Sequence, residues 1–223
     1  MPGKLQAQHK IKLDTGREQF LPLLEVISTR SEKKIVDIPA VIRSLDLNKE
    51  GLPQVSLDEA LTSVPGLFFQ NQFNSAQDLR LSIRGFGARS AFGVRGVKIL
   101  VDGIPLTLPD GQTQLDSIDP GMINSLEVLR GPSSSLYGNA SGGTISIKTF
   151  DGPRSGFESD SRLLLGSFGL EKYQIKSGGT FGSLNYNIYA SHLQRDGYRD
   201  HSATENTLVH GKFGWQTDAN SSW

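Results

Sequence analysis

The spacing of apolar residues predicts one short helix early in the chain. Residues 55–66 read VSLDEALTSVPG, and Ser56 and Glu59 have the spacing of a capping box, in which two side chains satisfy backbone N–H groups of the first turn. The apolar residues share one helical face because they are spaced i, i+3, i+4 and i+7. They are Leu57, Ala60, Leu61 and Val64. Pro65-Gly66 predicts the end of this amphipathic helix.

From residue 79 the apolar positions follow a period of two, which predicts strands. In LRLSIR, residues 79–84, leucine and isoleucine alternate with arginine and serine, as in a half-buried strand. Asp102-Gly103 separates two apolar runs and favours the type I′ turn of a tight hairpin. Further strands are predicted in INSLEVLRG (123–131) and TISIKT (144–149). Near the start of this region, Pro39 confines the apolar piece at 38–42 to a sheet edge or a strand start.

Two Gly-rich or polar loops interrupt these strands. They read GFGARSAFGVRG (85–96) and TLPDGQTQLDSIDPG (107–121). Residues 33–149 therefore predict a small mixed α/β unit with two prominent loops.

After residue 150 the chain consists of β-prone segments of roughly ten residues separated by turn-forming residues. In LNYNIYAS, Tyr186, Ile188 and Tyr189 alternate partially with polar residues. Ten-residue amphipathic strands of antiparallel type are the weak signature of an outer-membrane barrel. A soluble β-meander is the alternative that this pattern leaves open.

The first 32 residues are mostly polar and contain one β-prone patch, Leu24 to Thr29, with no obvious hairpin partner. This patch allows two interpretations. It is either an ordinary edge strand or an extended segment that pairs with the sheet edge of another protein.

Composition limits the class of protein. The net charge is zero, so no overall field favours nucleic acid or anionic lipid, and the absence of cysteine excludes disulfides and thiolate metal sites. The 25 glycines indicate turns and strands more than long helices. No run of 18 apolar residues and no secretory signal is visible. The chain is therefore expected to be cytoplasmic, or a mature or trimmed form of an exported protein.

The sequence offers no support for an enzyme. Gly138 and Gly143 have the spacing of a Walker loop, but Thr144 stands where the phosphate-binding lysine is required. The segment 85–90 lacks the third glycine of a Rossmann loop. No G-x-S-x-G elbow occurs, and the four histidines are scattered without metal-ligand spacing.

Several separate motifs resemble the plug domain of TonB-dependent outer-membrane receptors. They are LSIRGFGAR, KILVDGIPL and INSLEVLRGPSSSLYGNASGGTISIKT, and the resemblance covers roughly residues 23–149. It implies an α+β fold in which a mixed-sheet plug (33–150) follows a flexible segment (1–32) with a TonB-box-like stretch. Residues 151–223 would supply about four antiparallel strands that start a transmembrane β-barrel. The stretch after Arg130 is then a turn-rich plug element in which Gly131, Gly138, Gly142 and Gly143 adopt positive φ.

The resemblance also implies a mechanism. A ligand bound between the extracellular loops and the plug loosens the periplasmic segment, and TonB pairs with that segment and pulls it with energy from the proton gradient. The family barrel has about 22 strands, which need roughly 400 residues, so this chain is expected to be a fragment or a truncated gene product that does not transport alone.

The family pattern assigns roles to residues by their position. The predicted TonB-binding residues are Leu24, Glu25, Val26, Ile27, Ser28 and Thr29. The predicted ligand contacts, for which solvated loop residues are the alternative, are Arg89, Phe92, Asp110, Gln112 and Gln114. Arg89 is suited to attract an anionic chelate. The predicted plug–barrel contacts, with the arginines facing acidic groups of the barrel, are Arg84, Glu127 and Arg130.

The resulting expectation is part of a receptor for active uptake of a ferric siderophore or another metal chelate. Its partners would be TonB, the chelate and outer-membrane lipid, but no nucleic acid, and it needs no cofactor. It would lie in the outer membrane of a Gram-negative cell, with its N-terminal segment in the periplasm. The alternative is a stand-alone, soluble plug-like binding module without transport activity.

Overall fold

The computed structural model describes residues 9–12, 18–21, 25–26, 33–34, 41–47, 52–70, 79–91, 93–132, 137–218 and 221–222. At the N-terminus it contains two separate antiparallel pairs. Strand β1 (His9–Lys12) pairs with β2 (Glu18–Leu21), and β3 (Glu25–Val26) pairs with β4 (Lys33–Lys34). Within the β-prone patch at 24–29, Glu25 and Val26 thus have a local partner that was not predicted, whereas Leu24 and Ile27 to Thr29 lie outside the described residues.

Residues 41–149 are organised around a five-stranded mixed sheet, which we call the central sheet. Its order is β10-β9-β13-β12-β5, and all its pairs are antiparallel except β9 with β13, which is parallel. Strand β5 follows Pro39 and lies at an edge, as predicted. The strands of this region are β5 (Val41–Asp46), β6 (Leu67–Gln70), β7 (Arg80–Ile83), β8 (Val94–Arg95), β9 (Val97–Val101), β10 (Ile104–Pro105), β11 (Gln112–Thr113), β12 (Ile123–Arg130) and β13 (Gly143–Thr149).

The predicted helix is present but short, and α1 spans Leu57–Leu61. Its apolar face is buried as predicted, together with Val64. The capping box does not form as the spacing suggests. The Ser56 hydroxyl bonds to the Asp58 carboxylate, and the Glu59 carboxylate accepts a hydrogen bond from the Gln54 N–H at 3.0 Å.

The central sheet is aliphatic on one face and mainly polar on the other. The alternation of TISIKT separates Ile145 and Ile147 from Thr144 and Ser146, although residues of both faces are buried. Strand β7 pairs with β6 outside this sheet, and it buries Ser82 as well as its two apolar neighbours, so it is not half-buried. Core residues from sheet, helix and loops include Leu45, Leu61, Leu81, Ile99, Leu126 and Ile147.

The hairpin between β9 and β10 forms as the sequence predicts. Asp102 and Gly103 have φ values of 49° and 82°, the left-handed conformations that a type I′ turn requires. The Asp102 carboxylate also accepts a hydrogen bond from the Thr149 N–H at 3.0 Å, so this turn is joined to the end of β13.

The remaining strands form the C-terminal sheet, in which neighbours in sequence pair antiparallel. Its strands are β14 (Gly156–Gly166), β15 (Leu170–Phe181), β16 (Leu184–Arg195), β17 (Thr204–Asp218) and β18 (Ser221–Ser222). We call the face that contacts the rest of the chain the inner face, and the opposite one the outer face. Among the described residues, no helix is long and apolar enough to cross a membrane.

The outer face of the C-terminal sheet is apolar and exposed. An aliphatic band runs across it, formed by Leu163, Leu165, Ile175, Ile188 and Val209. At the end where β15 turns into β16, exposed aromatic residues flank the band, namely Phe157, Phe181, Phe213 and Trp215. Near the opposite end, Phe168 and Tyr198 have ring centroids 5.9 Å apart. The inner face is mainly polar, and Tyr189 belongs to it, so the partial alternation of LNYNIYAS joined residues from two faces.

Candidate functional site

Strands β8 and β11 bring the two predicted loops together. They pair antiparallel, with Gln112 opposite Arg95. The Arg95 guanidinium donates to Oε1 of Gln112 at 3.2 Å and lies 3.9 Å from the Asp110 carboxylate. Residues 85–96 and 107–114 therefore form one continuous surface, which we call the apical surface.

The base of the second loop is closed by two buried threonines. The Thr113 hydroxyl donates to Oγ1 of Thr107 at 2.7 Å, and the same Oγ1 accepts the Ile99 N–H at 2.9 Å. Beyond this neck, Leu108 N–H donates to the Gln112 carbonyl at 2.9 Å. The loop tip, residues 108–112, is thereby closed on itself.

A third loop, described at residues 131–132 and 137–142, packs under the apical surface through glycines. The Gly142 N–H donates to the Gly96 carbonyl at 2.8 Å, and a Cβ on Gly142 would lie 2.7 Å from that of Phe86. Gly142 is thus required for a close approach and not for a positive φ, in contrast to the prediction. A Cβ on Gly111 would overlap the Asn139 amide, so this loop also supports the tip.

The predicted ligand residues fall on or beside this surface. Arg89 and Gln114 are exposed, Asp110 and Gln112 meet at Arg95, and Phe92 lies outside the described residues. Arg95, which the sequence analysis quoted within its loop, was not selected. Exposed apolar side chains accompany these polar groups, namely Phe86 and Leu108. The ligand role of these residues stays a prediction.

The predicted plug–barrel residues have other neighbours in this structure. Arg130 donates through Nη1 to the Pro65 carbonyl at 2.7 Å, and Arg84 is exposed with a φ of 49°. Glu127 is buried in β12, opposite Ser44 and Ser146. The contact of all three residues with a barrel wall, with acidic groups facing the two arginines, therefore remains a prediction.

The contact between the two parts of the chain centres on Asp119. This residue precedes a 3₁₀ turn, Pro120–Met122, and its carboxylate accepts the Gly121 N–H at 2.8 Å. From the inner face of the C-terminal sheet, the carboxylate receives three more hydrogen bonds. The donors are Lys172 at 2.9 Å, Tyr189 at 2.8 Å and Ser191 at 2.8 Å.

Lys172 is enclosed by this contact, because its side chain is only 1% exposed. Its ammonium group also donates to the Gln54 carbonyl at 2.6 Å. Gln54 has a φ of 63°, which is unusual for a residue with a side chain, and its N–H is held by Glu59. Burial raises the pKa of Glu59, and backbone hydrogen bonds partly oppose that rise. Neighbouring Arg162 donates to the Leu52 carbonyl at 3.1 Å.

A second, more exposed contact lies at the β9–β10 hairpin. Lys212 of β17 is 3.1 Å from the Asp102 carboxylate and 2.8 Å from that of Asp151. Burial alone would raise the pKa of Asp102, but hydrogen bonds from Thr149 and the nearby Lys212 outweigh it and lower that pKa. Both contacts therefore place a carboxylate of the first part against a lysine of the sheet. This is the reverse of the predicted arginine-to-acid arrangement.

A polar cavity of about 190 Å³ lies between the two parts, beside the Asp119–Lys172 pair. The segment before α1 contributes Leu52 and Gln54 to its lining. The C-terminal sheet contributes the charged side chains Asp160, Arg162 and Lys176. Within the described residues, no group of three or more His, Asp or Glu side chains is placed to hold a metal ion.

Comparison with known proteins agrees with this architecture. A family model described as the TonB-dependent Receptor Plug Domain matches residues 34–144, about half of the chain. The hemin receptor of Yersinia enterocolitica is 30% identical over 167 residues, which are 70% of this chain and 23% of that protein. The vitamin B12 transporter BtuB of Vibrio vulnificus is 28% identical over 159 residues, 69% of this chain and 24% of that protein.

Solved structures show the same fold. Pseudomonas aeruginosa FpvA bound to pyoverdine superposes with a TM-score of 0.68 at 17% identity, covering 87% of this chain and 25% of FpvA.

The chain belongs to the family of TonB-dependent receptors, with a plug domain followed by the first strands of the barrel. The predicted α+β fold class is confirmed, and no barrel is closed within this chain. It spans about a quarter of the length of these relatives, which are receptors and transporters and not enzymes.

Proposed function

We propose that this chain is the N-terminal part of an outer-membrane receptor that takes up a ferric siderophore or a similar chelate with energy delivered through TonB. In this proposal the C-terminal sheet begins a barrel in the outer membrane. The plug closes its lumen, and the segment before the plug faces the periplasm.

The observation that carries the proposal is the polarity of the C-terminal sheet. Its outer face has an exposed aliphatic band with aromatic residues at both ends, and its inner face is polar and bears on the plug. Lipid-facing strands of transmembrane barrels have this pattern. A stand-alone soluble module would instead be expected to cover or avoid such an apolar face, because large exposed apolar patches promote association.

The ligand is proposed to bind at the apical surface. Arg89, Asp110, Gln112 and Gln114 supply polar groups there, Phe92 belongs to the same loop, and exposed Phe86 and Leu108 offer apolar contact. A cation such as Arg89 forms strong, charge-assisted bonds with anionic oxygen ligands of a chelate. The relatives include receptors for hemin, ferrioxamine and ferric enterobactin, which supports a metal chelate as the ligand class.

Growth rescue tests the proposal directly. A strain that lacks the gene is supplied with the complete gene and grown on a panel of single iron chelates under iron limitation. Rescue by at least one chelate, and its loss when the strain also lacks TonB, is expected. Unchanged growth with and without the gene on every chelate, hemin and vitamin B12 would overturn the proposed function.

The TonB contact has its own test. Residues 24–29 are proposed to pair with TonB as an added strand, which requires opening of the β3–β4 pair at Glu25–Val26. Val26→Pro removes a backbone donor and is expected to weaken binding of the purified periplasmic domain of TonB at least about tenfold in a titration. Gln19→Pro, in the β1–β2 pair, is the matched control. Equal affinity of the Val26→Pro variant and the parent would contradict this role.

A further inference from the structure

The inner face of the C-terminal sheet carries more basic than acidic side chains. Residues directly opposite each other in the register share a face, and so do residues two apart on one strand. By this rule, in β14–β17 up to Trp215, where side chains are described, the acidic residues of the inner face are Glu158 and Asp160. The basic residues of the same face are Arg162, Lys172, Lys176, Arg195 and Lys212.

The plug and its linker supply the counter-charges for this face. Asp119 binds Lys172, and Asp102 and Asp151 bind Lys212. Lys176 lies over the Phe150 ring, 3.6 Å from its centroid. Because Lys172 is almost fully enclosed, it depends on Asp119 for its only carboxylate contact among the described hydrogen bonds and ion pairs.

We propose that these wall cations form an anion-binding surface, which plug carboxylates occupy in this structure and an anionic ligand occupies when the plug moves. The inference rests on the proposed function, because that function requires the plug to move. It specifies the ligand class as chelates that present carboxylate, catecholate or phosphate oxygens. A lumen lined by Lys and Arg favours the passage of anions.

The cavity beside the Asp119–Lys172 pair gives the surface a point of access. Arg162 and Lys176 line this cavity together with Asp160, which lies opposite Lys176, and at about 190 Å³ the cavity has room for a small oxyanion. An anion that enters there contacts the basic row at Arg162 and Lys176. When Asp119 loses its charge, Lys172 needs another counter-charge, because an unpaired buried cation is unfavourable.

The test removes the plug's charge while it keeps the side chain's size. Asp119→Asn and the double variant Asp119→Asn/Lys172→Met are prepared in the protein as its gene encodes it, purified in detergent. Thermal unfolding is measured in sodium phosphate and in sodium chloride at equal ionic strength. Phosphate is expected to raise the midpoint of Asp119→Asn by about 2–4 °C relative to chloride and to leave that of the double variant unchanged.

Asp200→Asn, an exposed carboxylate in the loop before β17, is the control and should respond to phosphate as the parent does. The more exposed contact provides a second arm in case Asp119→Asn does not fold. There, Asp102→Asn/Asp151→Asn is compared with the same pair carrying Lys212→Met. Equal phosphate responses with and without the lysine, in whichever arm folds, would overturn the inference.

This assay needs neither TonB nor transport. A negative result therefore leaves the proposed uptake function in place, whereas failure of growth rescue leaves a positive anion response valid.

Discussion

The central sheet and the C-terminal sheet use the same alternating strand pattern in opposite ways. Strands β12 and β13 bury their aliphatic face and also much of their polar face, whereas the C-terminal sheet exposes its apolar residues on the outer face and turns polar residues inward. The difference follows from what each face contacts. A period of two fixes which residues share a face, but the surroundings decide which face is buried.

The boundary between the two sheets buries a pair of opposite charges. The central core is built from aliphatic side chains, while Lys172 and Asp119 lie at the joint and are 1% and 11% exposed. The joint is therefore held by directional hydrogen bonds, and each sheet is held by its own packing. Substitutions at the joint, in the central core and on the outer face should therefore differ in their effect on the free energy of unfolding. They should also differ in which second substitution restores stability.

Removal of Asp119 should have the largest effect on stability. Asp119→Ala leaves Lys172 enclosed without a counter-charge, so the free energy of unfolding should fall by about 3–5 kcal/mol. Chemical unfolding in detergent, followed by circular dichroism, measures this. Asp119→Ala/Lys172→Met should recover part of the loss because it removes the unpaired cation. A double variant that is less stable than the single variant would contradict this account.

The two apolar environments can be compared with one type of substitution. Leu126→Ala in β12 should cost about 2–5 kcal/mol, because it leaves a cavity in a fully buried core. Leu163→Ala on the outer face, where the side chain is 57% exposed, should cost less than about 1 kcal/mol in detergent. Equal losses in the same unfolding assay would mean that the outer face is covered by protein.

The contact at Asp102 should make stability depend on pH. Its lowered pKa in the folded state means that the ionised carboxylate stabilises the fold above the unfolded pKa, near pH 4. This stabilisation, about 1–2 kcal/mol, should disappear as the pH falls through the folded pKa. Unfolding midpoints between pH 6 and pH 3 test it, with Asp102→Asn as the reference. Parallel curves for the two proteins would contradict the assignment.

The smallest effect is expected on the apical surface. Arg95 and Asp110 are both more than half exposed and 3.9 Å apart, so Arg95→Ala should change the free energy of unfolding by no more than about 1 kcal/mol. If the surface binds an anionic chelate, the same variant should reduce uptake of the rescuing chelate well before it affects folding. Uptake at the parent's level would remove Arg95 from the proposed ligand site.

Local features of the fold could be predicted from the sequence. The apolar face of α1, the Asp102-Gly103 turn, the edge position of β5 and the long C-terminal strands all follow from spacing or turn chemistry within a few residues. The motifs around Arg130 placed the whole plug, because their order along the chain is that of the family.

Contacts between distant parts of the chain could not be predicted in the same way. Asp119 and Lys172 are separated by 53 positions, and no local pattern marks either residue as buried. The sequence placed Asp119 only within a polar loop and gave Lys172 no individual role. Tyr189 was grouped with Tyr186 and Ile188 by their partial alternation, although it lies on the opposite face from both. The face on which Tyr189 lies could be assigned only once the strand pairing within the C-terminal sheet was known.

The closed neck at Thr107 and Thr113 has a consequence for how such a receptor diversifies. Because the two hydroxyls and the Ile99 amide hold the base, the two ends of the tip at 108–112 are fixed by groups outside the tip. Substitutions in that short tip, with Gly111 kept, are therefore expected to leave the scaffold below undisturbed. The neck thus allows one framework to acquire a new ligand preference through changes in the tip.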